Sequence, residues 1–464
     1  MSVFVKAAIG GKKKLPALEL VSAAQYSKWL KQQDMELRTW ISLVCKEPKG
    51  GQHLVLPSPN GTINRVVALV SDPVSIWDIA GLPKLLPEGS YRLQAGGFGE
   101  KDLFKLALGY GLGAYQFTRY KKAKRAPAQL VLPKEINQTK LESMVAAQCM
   151  GRDLINTPAE DLGPPELAAA AVDLAKQYKA KTKIISGATL KKEFPLVDAV
   201  GRAGPKPPQL IDMVWDKANA PKVTLVGKGV CFDTGGLDIK NAAGMYHMKK
   251  DMGGAAGVLV IARMIMDAGL NVRLRVIIPT VENSVSSNSI RPRDVVTSRA
   301  GITVEIQDTD AEGRLILADA LALAAEEEPD ILIDMATLTG SKLAMFGMDI
   351  GVFFCADDAV CGEVMSASQE MEDPLWRGPI WEAYAHRLDS NIADMMQCSG
   401  APYADPILAT LFMKKFALPK AGSKTCWIHA DIMCMHMADR PGRPEGGEAQ
   451  AARALYHFLE TKFG

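Results

Sequence analysis

The chain lacks any run of about 18 apolar residues free of charges and helix breakers, so no membrane span is expected. It also lacks the order of a secretory signal. Residues 1–9 are largely apolar and Lys12, Lys13 and Lys14 follow them, whereas an export signal places its positive charge first. Paired cysteine motifs are missing. The eight cysteines (Cys45, Cys149, Cys231, Cys355, Cys361, Cys398, Cys426, Cys434) are scattered with no CxxC, which argues against a disulfide framework. They read as reduced, mostly buried thiols of a cytoplasmic protein. Net charge is nearly absent at +2, which gives no reason to expect nucleic acid or an anionic membrane as the main partner. Histidine is scarce: there are six, and none forms HExxH. No internal repeat or low-complexity tract is present.

What remains is a 464-residue chain, 48% hydrophobic, able to bury one large core or two, with a length that suggests two or three units. Residues 1 to about 135 mix short strand-like runs, such as 66–70, with turn clusters such as 58–61. Residues 101–115 have helical spacing and carry Gly109, Gly111 and Gly113. That series does not follow a clear strand, so close helix packing is expected there rather than phosphate binding. The basic stretch 119–125 precedes Pro127 and reads as solvated. A long helix is expected over 135–155, stopped by Asn156, Thr157 and Pro158, with the next helix opened by Pro164 and Pro165.

The domain boundary is expected near residue 160. It separates a smaller N-terminal α/β domain with its linking helix (1–160) from a C-terminal catalytic α/β domain (161–464). In the latter, strands at 223–226, 272–279 and 330–335 alternate with helices at 253–268 and 313–326. That alternation predicts a mostly parallel central sheet covered by helices.

Two segments carry chemistry. Residues 226–254 read VGKGVCFDTGGLDIKNAAGMYHMKKDMGG. A buried-type strand is expected to end at Lys228, and the chain then turns through glycines bearing Asp233, Asp238, Lys240 and Asp251. Ligands of open α/β sheets bind at the carboxyl ends of strands, so these charges fall where a site belongs. Residues 306–317 read IQDTDAEGRLIL: a strand end, a turn with Asp308, Asp310 and Glu312, then a helix from about Gly313. Acids before a helix have a plain explanation, since they cap it and complement its dipole. That accounts for one acid well and three in five residues poorly. It accounts least for Arg314, because a cation is disfavoured at a helix start.

Carboxylates gathered at one sheet edge repel unless cations neutralise them, and shared carboxylates bridge metal pairs about 3.5–4 Å apart. Oxygen-rich donors suit Mg²⁺ and Mn²⁺; one nitrogen donor shifts the preference toward Zn²⁺ or Co²⁺. His247 is the one histidine inside these segments and is expected beside the site or on the surface, not as a ligand.

With these motifs in place, the chain resembles the leucine aminopeptidases, the cytosolic two-metal peptidases of the M17 type. The resemblance covers about residues 130–435 and is densest over 223–345. TDAEGRL is its most specific motif, and VGKG, FD, GG, IK and DMGG at their spacing support it independently. It implies that Lys228, Asp233, Asp251 and Glu312 bind a tighter metal, and that Asp233, Asp310 and Glu312 bind a more exchangeable one. Asp233 and Glu312 would then bridge, and Asp310 would also lend its backbone carbonyl. It implies catalytic roles for Lys240 and Arg314, with bicarbonate on Arg314 as proton shuttle. Met248, Thr337, Leu338 and Gly340 would line the substrate pocket, although Thr337 and Gly340 also suit an ordinary strand-to-helix turn. The implied activity is release of N-terminal, leucine-type residues from peptides with a free amino terminus. The implied assembly is a homohexamer.

The sequence departs from the family pattern at Asp308, where asparagine is usual, in the glycine-free loop 283–289, and over 433–448, which lacks the usual small-residue ending. These changes bear on side-chain preference and metal choice. A two-metal phosphoesterase would use similar carboxylates, but the lysine pair argues against it. A DNA-binding or structural role is disfavoured by the balanced charge.

Overall fold

The strand Lys222–Gly227 is buried at every position from Val223 onward, so both of its faces are covered. Helices of the same unit do the covering. Gly253–Ala268 is buried at nearly every position and Glu312–Ala325 is buried from Glu312 to Ala324, as befits helices enclosed within a core. Gly254 allows one close approach, since a Cβ there would lie 2.0 Å from the Met335 carbonyl oxygen.

The computed structural model describes residues 3–5, 15–401 and 403–464, so Lys12, Lys13 and Lys14 lie outside the described residues. The chain divides into two compact units: Met1–Cys149 with Met437–Glu445, and Met150–His436 with Gly446–Gly464. The division falls within the helix Gln138–Asn156. Among the described residues no helix is long and apolar enough to cross a membrane.

The first unit holds a six-stranded sheet in the order Phe4–Val5, Gln129–Val131, Ser90–Gln94, Ala17–Ser22, Ile63–Val70, His53–Pro57. All its neighbours pair in parallel except the last two strands. Its helix Glu100–Gly113 uses the glycine series for contact: a Cβ on Gly109 would sit 1.6 Å from the Ile76 carbonyl oxygen and one on Gly113 1.7 Å from that of Ala80.

The second unit holds a nine-stranded sheet. Its main path runs Leu375–Arg377, Gly351–Phe354, Cys426–Asp431, Ile331–Ala336, Lys222–Gly227, Arg273–Asn283, Gln209–Trp215, Lys181–Ser186. The central strands Cys426–Asp431, Ile331–Ala336, Lys222–Gly227 and Arg273–Asn283 are mutually parallel, and antiparallel pairs flank them. The architecture is thus two-domain α/β with mixed, mostly parallel sheets.

One local expectation is corrected. The strand does not give way to a turn after Lys228. It resumes as Gly229–Asp233 and keeps its parallel pairing along Arg273–Asn283. Lys228 leaves the ladder, and a second irregularity falls between Val230 and Asp233. Its N–H donates to the Met335 carbonyl at 3.0 Å and its carbonyl accepts from Ala255 at 2.9 Å. The extra strand carries Asp233 to its final position.

Candidate active site

Parallel strands end on one edge of a sheet, and four of the site's segments arrive there together. Lys228 follows Lys222–Gly227, Asp233 ends Gly229–Asp233, Thr337 to Gly340 follow Ile331–Ala336, and Asp431 ends Cys426–Asp431. Asp251 sits in the 3₁₀ turn Met248–Met252 that leads into Gly253–Ala268. Asp310 lies just before the helix Glu312–Ala325, and Glu312 and Arg314 stand in its first turn. The two motif segments are clipped together: Thr309 N donates to Asp238 Oδ2 and Asp238 N donates to Thr309 Oγ1, both at 2.8 Å.

Lys228 is the buried centre of this group. Its Nζ lies 2.7 Å from Asp251 Oδ2, 2.9 Å from Glu312 Oε1 and 2.9 Å from the Thr337 carbonyl oxygen. Gly313 makes the room, since a Cβ there would meet Lys228 Cε at 2.4 Å. Lys240 Nζ lies 2.9 Å from Asp233 Oδ2 and also contacts Asp310. Asp233 is fixed by Asn283 Nδ2 and by Gly235 N, each donating to Oδ1 at 2.8 Å. Asp251 Oδ1 accepts from Thr337 Oγ1 at 2.7 Å. Asp233, Asp310 and Glu312 each offer an oxygen within 4.8 Å of the others.

Four carboxylates (Asp233, Asp251, Asp310, Glu312) face three lysines (Lys228, Lys240 and, 3.7 Å from Asp251, Lys250), leaving negative charge unmatched. The direction of each pKa follows from this imbalance. Burial, then the neighbouring Asp233, push the Asp310 carboxyl up to about 7. Glu312 is raised well above the carboxylate range by burial and by Asp233. Burial would raise Asp251 too, but Lys228 and Lys250 outweigh it and lower its pKa. Burial opposes the charge on Lys228 and on Lys240, and the surrounding carboxylates overcome it and raise both.

The group opens into a cavity of about 690 Å³. Lys228, Asp233, Lys240, Met248, Asp251, Asp310, Arg314, Thr337, Leu338 and Gly340 all line it; Glu312 lies behind them, 1% exposed. Asp308 is on the wall as well, its carboxyl raised by burial and then by Asp238. No histidine lines the cavity among the described residues. His247 stands next to the 3₁₀ turn against Tyr246.

Several residues in or behind the cavity wall went unnoticed in the sequence. Asp405, at the start of the helix Asp405–Ala417, accepts from Arg314 Nη2 at 2.8 Å. Asp431 accepts from Leu338 N at 3.0 Å and bonds Thr339, which fixes the turn after Ile331–Ala336. Lys342, buried in the wall, lies 3.3 Å from Asp431 Oδ1, and burial lowers its pKa against that pull. Asn283, Asp405, Asp431 and Lys342 lie in no motif that spacing could flag, and Thr309 stands in TDAEGRL with no sign of its clip to Asp238.

Known proteins share this sequence pattern and fold. The family model for the "Cytosol aminopeptidase family, catalytic domain" matches residues 149–456, and that for the "M17 aminopeptidase, N-terminal domain" matches residues 16–133. A probable cytosol aminopeptidase of Rhodococcus opacus is 38% identical over 350 residues, 71% of this chain and 68% of the relative. The crystal structure of a cytosol aminopeptidase from Coxiella burnetii is 43% identical with a TM-score of 0.94, covering 100% of both chains. The bottromycin maturation enzyme BotP in complex with Mn is 29% identical with a TM-score of 0.84, covering 91% of this chain and 96% of that one. The chain belongs to the cytosol aminopeptidase (M17) family.

Proposed function

We propose that the chain is a two-metal aminopeptidase that releases N-terminal residues, leucine-type ones included, from peptides with a free amino terminus. The observation that carries this is the meeting of four carboxylates with Lys228 and Lys240 at one sheet edge, in and just behind the wall of a cavity large enough for a peptide end. The donor set fits divalent ions. Three carboxylate oxygens converge within 4.8 Å, and the raised pKa values of Asp310 and Glu312 express negative charge that cations would relieve. Asp233 and Glu312 would be shared, Lys228 and Asp251 would complete one site, and Asp310, with its carbonyl, the other. Zinc or manganese, with magnesium or cobalt as further candidates, would supply a water acidified to hydroxide near neutral pH and a seat for the substrate's α-amine. That a structural relative was solved with Mn supports manganese among these.

The chain's own groups do the rest. Lys240 is positioned to donate to the scissile carbonyl as negative charge develops on its oxygen. Met248 and Leu338 give the pocket apolar wall for a leucyl side chain. Arg314 cannot act as a base and serves to hold an anion. Peptides are the proposed partners, with neither membrane nor nucleic acid. The family resemblance supports a cytoplasmic enzyme and a homohexameric assembly.

The reading is tested by offering the metal-loaded enzyme leucine p-nitroanilide and p-nitrophenyl phosphate, with and without a chelator. We expect the anilide alone to be cleaved, and cleavage to stop on chelation. Phosphate ester hydrolysis without anilide hydrolysis would replace the peptidase reading by a two-metal phosphoesterase.

A further inference from the structure

Arg314 is 2% exposed, and a buried guanidinium calls for an anion. The family resemblance implies bicarbonate for that place. The residues present fit it poorly, leaving it only Nε of Arg314, which has no partner among the described residues. Arg314 Nη2 already donates to Asp405 Oδ1 at 2.8 Å and Nη1 to the Gln397 carbonyl at 3.2 Å. A second anion would stand beside the Asp405 carboxylate, like charge against like. An acid in the first turn of a helix is ordinary, yet among the described residues Asp405 accepts its hydrogen bond from Arg314, 91 positions away, and not from its own helix. Its side chain is 30% exposed on the wall of the cavity that also holds Lys240, Asp233 and Asp310, so water in that cavity can reach it.

We propose that Asp405 is a proton shuttle built into the chain: a carboxylate seated on Arg314 that does the work otherwise left to a bound bicarbonate. The proposal rests on the aminopeptidase reading. As an O–H bond of water breaks, the proton passes to Asp405, and the water oxygen forms its bond to the scissile carbonyl carbon. As the C–N bond then breaks, the same proton passes to the departing nitrogen. Nothing is oxidised or reduced, and water is the sole co-reactant. Arg314 holds the carboxylate on the cavity wall through their hydrogen bond. Asp405 would therefore be a catalytic residue and Arg314 its positioning residue.

The test compares the metal-loaded wild type with Asp405→Asn and Asp405→Ala on leucine p-nitroanilide, in buffer stripped of carbon dioxide and again with bicarbonate added. Binding of ¹³C-bicarbonate is followed in parallel by NMR. We expect wild-type turnover to be indifferent to bicarbonate and the wild type to bind none. Asp405→Asn should lose about 10²–10⁴ in kcat, the usual contribution of a positioned acid–base group. Asp405→Ala should bind bicarbonate and regain turnover with it. A wild type that needs added bicarbonate overturns the proposal without recourse to any variant. So does a folded Asp405→Asn enzyme with wild-type kcat in stripped buffer. A wild type that cleaves no leucine p-nitroanilide under any condition would instead defeat the aminopeptidase reading itself.

Discussion

Lys228 is the residue on which the account of the metal pair is most exposed. A lysine can ligate a metal only as a neutral amine, because an ammonium has no lone pair to give. The three contacts of its Nζ, to Asp251, Glu312 and the Thr337 carbonyl, also suit an ammonium in a purely structural ion pair. Arginine separates the two roles, since it keeps the charge but does not lose its proton. We expect Lys228→Arg to stay folded by circular dichroism, to lose the tighter metal and to lose nearly all activity. A folded variant with two metals by elemental analysis and near-normal turnover would make Lys228 structural. Lys240 should behave differently. Lys240→Ala is expected to keep about two metals per chain and to lose on the order of 10²–10³ in kcat, the cost of one oxyanion donor. Loss of both metals would place Lys240 among the ligands. These residues were legible because their spacing is local: Asp233 with Lys240 on one loop, Asp310 with Glu312 and Arg314 on one turn. Asn283 and Asp405 were not. Each meets its partner across the fold, 50 and 91 positions away, and nothing in the intervening sequence marks the meeting.

Among the elements, helices and buried strands were read most closely. The helix expected over 253–268 is Gly253–Ala268, because a long apolar run between glycines and a left-handed Gly269 leaves little freedom at either end. The strand expected over 272–279 runs on as Arg273–Asn283, and that extension delivers Asn283 to Asp233. The single-residue departure at Lys228 was illegible, since it arises from hydrogen bonds to Met335 and Ala255 on other elements. A second tie between distant elements is Glu448. It accepts from Arg152 Nη2 at 2.7 Å, with His436 and Arg453 beside it. Burial would raise its carboxyl, but Arg152, His436 and Arg453 hold it well below the usual range. Its folded pKa thus lies under its unfolded value of about 4.3. It stabilises the fold above that pH, and the contribution fades as pH falls toward the folded pKa. We expect Glu448→Gln to destabilise the catalytic unit by about 3–5 kcal/mol near neutrality, as expected for a buried charge deprived of its counter-ion. The deficit against wild type should shrink below about pH 4. Denaturant unfolding at both pH values checks this; an equal deficit at the two would show that Glu448 acts through packing and not charge.

At the scale of the molecule, alternation of strands and helices was enough to foresee an α/β chain with a mostly parallel sheet in its C-terminal part, because that pattern has few packed solutions. The N-terminal sheet order was not foreseen. Its strands are short, and Phe4–Val5 pairs with Gln129–Val131 across more than a hundred residues. Nor does any local pattern announce that Met437–Glu445 groups with the first unit. The central claim belongs to this scale too: the site is built to take the free end of a peptide. The measurement that tests it most directly is kcat/KM for a leucyl peptide against the same peptide acetylated at its amino terminus, with the metal-loaded enzyme. The account predicts efficient cleavage of the free peptide and none detectable of the acetylated one, since acetylation removes the amine that the metal pair would seat. Comparable values for the two would contradict it.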